Sequence, residues 1–103
     1  MRIIEVSLHG TPAGYLSELS SNKYSFEYLS AYDGPPISRA LPIRLSEYTF
    51  DRFPPFFDGL LPEGTQLDYL LKSMKIDAHD YFSQLIGIGD DFVGAISIKE
   101  VKK

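Results

Sequence analysis

The strongest constraint on the fold is a change of hydrophobic period partway along the chain. Near the N terminus Ile4, Val6 and Leu8 alternate with Glu5 and Ser7, and Tyr24, Phe26 and Tyr28 alternate with Ser25 and Glu27. Period two is the pattern of a strand with one buried face. Past Phe53 the spacing becomes i, i+3, i+4, i+7 at Leu67, Leu70, Leu71 and Met74, one stripe of an amphipathic helix. A sheet built from the first segment and helices from the second can share one core only as packed layers.

The punctuation refines this reading. His9-Gly10-Thr11-Pro12-Ala13-Gly14 is turn chemistry, followed by a strand over 15–19; Ser20-Ser21-Asn22 is a second turn. Three runs then form an antiparallel meander with one apolar face. Asp33-Gly34-Pro35-Pro36 interrupts it, and 37–44 is a further extended segment, ended or bulged at Pro42. Asp77 is expected to cap a helix that carries Asp80 in its first turn and ends at Gly87 and Gly89. Val93–Ile98 closes the chain as a strand. The fold class is α+β: a mostly antiparallel sheet, made of the N-terminal meander plus the C-terminal strand, with helices packed on one face.

At 103 residues the chain is read as one domain, 1–103. It has no cysteine, so disulfides and thiolate metal sites are excluded. The start, with Arg2 inside its apolar run, does not read as a signal peptide, and no apolar run approaches the ~20 residues of a membrane span. A cytoplasmic protein without membrane contact is expected. The net charge of −4 opposes direct binding of nucleic acid, since only Lys99 to Lys103 is locally basic.

Catalytic chemistry finds little support in the residues. His9 and His79 are the only imidazoles, and each falls in turn or helix-start context. Asp77, His79 and Asp80 resemble a metal cluster superficially, but capping accounts for both acids. Asp58 and Glu63 flank Leu60-Leu61-Pro62 as a conceivable carboxylate pair, each with an ordinary role in turn or helix start. Gly87-Ile88-Gly89-Asp90 lacks the lysine and the glycine pattern of a phosphate loop. No catalytic residue, metal or cofactor is expected.

The segment from Phe53 to Leu71, FPPFFDGLLPEGTQLDYLL, is the candidate site. A single element passing over a core cannot bury both members of Phe56-Phe57 and of Leu60-Leu61 equally. Pro54 and Pro55 stiffen the entry, while Gly59 and Gly64 permit close approach or positive φ. Either both pairs are taken into a two-layer core, or one member of each forms an apolar patch rimmed by Asp58, Glu63 and Gln66, a docking surface whose anchors would be drawn from Phe56, Phe57, Leu60, Leu61 and Pro62.

The motif FFDGLLPEG, followed some twenty residues later by LIGIGDDFVGAISI, resembles the N-terminal subdomain of HipA-type toxin kinases. LHGTPAGYLSE is similar to the opening hairpin of that family, and LPIRL at Leu41–Leu45 to its Ser-Leu-Pro-Leu segment. The matches keep their order and cover nearly the whole chain. In that family the subdomain leads into a kinase core with an ATP loop, a catalytic Asp and a metal-binding Asp. The present sequence ends at Lys103, just past the matching region, so no kinase activity is expected of it.

The resemblance implies a split arrangement: the HipS-type small subunit of a three-component HipBST toxin–antitoxin module. Its implied partner is a HipT-like Ser/Thr kinase toxin, joined in a ternary complex by a HipB-like helix-turn-helix DNA-binding protein. Kinases of this family act on translation components such as aminoacyl-tRNA synthetases. The chain is then either an antitoxin that inhibits the kinase or a detached subdomain that completes or assists it. Glu63-Gly64-Thr65-Gln66, at a helix start beside the anchors, is the implied element reaching the nucleotide loop of the kinase.

Overall fold

The two hydrophobic periods become two layers. The computed structural model describes residues 1–20, 22–88 and 95–101. Strands β1 (Arg2–Leu8), β2 (Thr11–Ser20), β3 (Lys23–Tyr28) and β4 (Tyr48–Phe50) precede helices α1 (Pro55–Asp58), α2 (Gly64–Met74) and α3 (Tyr81–Ile88), and β5 (Ile96–Glu100) follows. They form one sheet in the order β4-β3-β2-β1-β5, antiparallel throughout.

Register converts the alternation into a face. Leu16 lies opposite Ile4 on one side and Phe26 on the other, and Val6 lies between Gly14 and Ile98. Because side chains repeat every second residue, these rows project together, and their members are buried. Phe57, Phe82 and Leu85, all fully buried, close this face from the helical layer. Phe82 stacks on Tyr24 with ring centroids 6.4 Å apart, and Phe57 meets Phe26 at 5.8 Å.

Several boundaries depart from the sequence expectation. The β1–β2 turn is only His9 and Gly10, with φ of 52° and 81°, the two-residue hairpin turn whose twist suits antiparallel strands. Pro12 and Gly14 lie inside β2, beside a bulge where the β1 register shifts between Val6 and Ser7. Gly14 is there because the chain is crowded: a Cβ would stand 2.5 Å from the Glu27 carbonyl oxygen and 2.9 Å from Phe26 Cζ.

The segment 37–44 is not a strand; its pairing is one bridge, Ser38 to Leu41. Ile37 and Leu41 are instead buried plugs tied to the Tyr28 hydroxyl, which accepts from the Ile37 N–H at 3.0 Å and donates to the Leu41 carbonyl. Burial holds the Tyr28 phenol above its ordinary pKa, against the Ile37 bond. The strand missed by the alternation is β4, three residues long, which pairs Tyr48 with Phe26 and Phe50 with Tyr24.

Helix α3 starts three residues later than expected, at Tyr81. Asp80 is its cap: Oδ1 accepts the Ser83 N–H at 3.1 Å. Asp77 Oδ1 accepts the His79 N–H at 2.7 Å and so orders the preceding turn. Gly87 lies within the helix rather than ending it; Gly89, Val93 and Gly94 lie outside the described residues.

Arg2 joins the layers. Its guanidinium donates to both Glu18 carboxylate oxygens at 2.8 Å, to Asp80 Oδ1 at 2.9 Å and to Ser83 Oγ at 2.6 Å, and lies 5.1 Å over the Phe82 ring. Partial burial pushes the Asp80 carboxyl upward, but the bonds from Arg2 and Ser83 outweigh it and hold it below the usual carboxylate range. Arg2→Met is expected to cost about 1–2 kcal/mol at pH 7, kept small by the partial exposure of the pair. A depressed carboxylate pKa stabilises the fold above the unfolded pKa of about 3.9, and that contribution is lost as pH falls through the folded value. The stability gap between wild type and Arg2→Met, followed by urea titration, therefore narrows below about pH 4. A gap independent of pH would mean that Arg2 acts through packing on Phe82 alone.

Candidate functional site

The segment 53–71 resolves into a tight turn followed by a helix. Pro54, in extended conformation, leads into α1, whose proline at its start needs no N–H partner. The turn continues as the Leu60 N–H donates to the Phe57 carbonyl and the Leu61 N–H to the Asp58 carbonyl. Successive helical residues point about 100° apart, so Phe56 and Phe57 cannot share one environment. Phe57 enters the core with no exposed surface; Phe56 stays half-buried, edge-on to it at 5.1 Å. Phe57 is thus removed from the expected docking anchors, because Phe26 already occupies its face.

The remaining anchors lie between core and solvent. Leu60, Leu61 and Pro62 are half-buried, and the two leucines pack against the core from outside. Asp58, Glu63, Gly64, Thr65 and Gln66 are exposed. Glu63 precedes α2 in extended conformation without capping it through its side chain, and Gly64 turns the chain at φ +60°. Gly59 has φ −65° and makes no use of its freedom.

Five of these residues meet in one groove of about 650 Å³: Gly59, Leu60, Leu61, Pro62 and Gln66. Its far wall is Tyr69, Leu70, Ser73 and Met74 of α2, and its end is Gly87 and Ile88 of α3. Among the described residues, no charged side chain lines it. Phe56, Asp58, Glu63, Gly64 and Thr65 do not line it; Asp58 faces a separate depression with Arg52 and Tyr81. The two candidate carboxylates therefore share no cleft.

Tyr69 and Met74 are the residues the periodicity misassigned or passed over. Tyr69 is 74% exposed and Met74 51%, and α2 has no buried residue at all. The spacing Gln66, Tyr69, Leu70, Ser73, Met74 is itself i, i+3, i+4, i+7, i+8, a second stripe beside the leucine stripe, and it was the available signal. A further apolar display lies elsewhere, at Ile43 and Leu45, where Leu45 is 89% exposed. Its loop is braced by Arg44, which stacks 3.6 Å over Tyr48 and donates to the Ser46 and Glu47 carbonyls.

Among the described residues, no three His, Asp or Glu side chains gather as metal ligands, and no helix is long and apolar enough to cross a membrane. His79 Nδ1 lies 3.7 Å from Asp77 Oδ1, both largely exposed. His9 holds the left-handed position of the hairpin turn.

Comparison with known proteins places these features in context. Residues 4–99 match the family described as HipA N-terminal domain. A solved structure, the N-terminal domain of HipA toxin, superposes with a TM-score of 0.78 at 30% identity, covering 100% of this chain and 95% of that one. An uncharacterised protein of Haemophilus influenzae is 33% identical over 96% of this chain and 92% of its own length. Two Sinorhizobium fredii proteins named as kinases, Y4mE and Y4dM, are 26% and 29% identical, and the chain spans only 24% and 26% of their lengths.

Proposed function

Because the chain belongs to the HipA N-terminal domain family, we propose that it is a non-catalytic regulatory subunit, an antitoxin of HipS type. In this reading it binds and inhibits a separately encoded, HipA-like Ser/Thr kinase toxin of HipT type in the cytoplasm. The observation that carries the reading is the size of its relatives. The same unit is about a quarter of the kinase-named Sinorhizobium proteins and nearly the whole of the Haemophilus protein. A domain that occurs both within kinases and at its own length fits one that docks on a kinase in trans.

A partner in trans lacks the effective concentration that a linker supplies, so its interface needs apolar anchors. The groove provides them: Leu60, Leu61 and Pro62 from the turn after α1, Tyr69, Leu70 and Met74 from α2. Phe56, Asp58 and the Glu63-Gly64-Thr65 entry to α2 flank it in the chain. A HipB-like DNA-binding protein completes the assembly in this reading.

Co-expression tests it. The kinase alone is expected to arrest growth, and adding this chain is expected to restore it and to co-purify with the kinase. Tyr69→Asp changes an exposed residue, so it leaves the melting temperature unchanged while weakening kinase binding at least about tenfold, with Leu61→Ala weakening it similarly. Growth that stays arrested or worsens, with binding intact, would replace inhibition by the assisting role. Full binding by Tyr69→Asp would move the interface off the groove.

A further inference from the structure

We propose that α2 opens as a unit of its own while the sheet and α3 stay folded. None of its eleven residues is buried, whereas α3 anchors Phe82, Gln84 and Leu85 in the interior. Both of its ends are left-handed joints: Gly64 at φ +60° and Lys75 at φ 54°. Glu63 makes no side-chain cap, so the first turn keeps free N–H groups that water satisfies equally well in the open state. At its C-terminal end the Leu71 carbonyl takes both the Lys75 and the Ile76 N–H groups.

Eleven residues are too few for a helix to persist in water by itself, so α2 depends on what it leans against. One such support is slender. At Gly87 an added Cβ would meet Met74 Sδ at 3.1 Å and Ile76 Cδ1 at 3.3 Å, so the end of α2 rests there on bare backbone of α3. By contrast α3 is held by the Asp80 cap and by Arg2 from β1. Local opening is expected where buried apolar contacts are few. One wall of the groove, including Tyr69 and Leu70, moves with α2, so the groove is complete only in the closed form. A ligand of the groove therefore selects the closed helix.

Amide hydrogen exchange on the full chain, free in solution, tests this without any partner. The amides of 67–74 are expected to exchange at least about tenfold faster than the slowest amides of β1 to β3. Ile4→Val, within the buried sheet face, should speed the sheet amides about two- to tenfold. It should leave the α2 amides unchanged, since the open state keeps the sheet. Lys75→Gly removes the left-handed cost and should slow α2 exchange about two- to fivefold. The proposal is overturned if α2 amides are as slow as the sheet, if Ile4→Val speeds both sets by one factor, or if Lys75→Gly leaves α2 exchange unaltered. Kinase binding enters none of these outcomes, so this inference and the antitoxin reading fail separately.

Discussion

Phe57→Ala is expected to destabilise the isolated chain by about 3–5 kcal/mol, the range for emptying a buried phenylalanine site. Domains of this size are stable by only about 5–15 kcal/mol, so the variant stands near the edge of folding. At about 4–8 °C per kcal/mol for a small domain, its melting temperature falls by more than about 12 °C. The cost is large because Phe57 is fully buried, meets Phe26 at 5.8 Å and comes from a helix of four residues that cannot reposition a substitute. Phe56→Ala, truncating the half-buried neighbour, is expected to cost about 1 kcal/mol. Urea titration of both variants measures the difference. Equal, small losses would return Phe57 to the surface and reopen its role as a docking anchor.

Gly14→Ala is expected to be comparably severe, at about 3 kcal/mol or more. The added methyl would meet the Glu27 backbone oxygen at 2.5 Å, and a backbone atom in a central strand pair cannot yield as a flexible side chain does. Gly14 faces Tyr28 on β3 and Val6 on β1, so β2 would have to part from one neighbour. Circular dichroism on the purified variant reports the loss. A Gly14→Ala protein with wild-type melting would show that the strands separate easily, contrary to the buried contact of the Phe26 ring with this position.

These two positions mark how far a sequence can be read. The Pro12-Ala13-Gly14 stretch was legible as a feature, but as a turn, because glycine and proline signal loops more often than crowding. Its true reason, an aromatic ring lying on a neighbouring strand, exists only once β2 and β3 are paired. The doubled Phe and Leu pairs were legible as a segment that was either shared by a two-layer core or split between core and surface. Which phenylalanine went inside was not legible, since both are equally apolar. In α2 the leucine stripe was visible, yet burial does not follow from periodicity where little packs against the helix. Among the described residues, the ion pair that ties the layers, Arg2 with Asp80, joins positions far apart in sequence and had no local signature.

The order of strands and helices, the one-sided sheet and the family resemblance were written in the residues themselves. Alternation, helical spacing and short motifs are local properties, and local geometry turns them directly into secondary structure. The choice of Phe57 over Phe56 for the core, the three-residue β4, the Asp80 cap and the groove beside Tyr69 were decided in three dimensions. Hydrophobicity states that a side chain gains by leaving water; only the space left by its neighbours determines which one does.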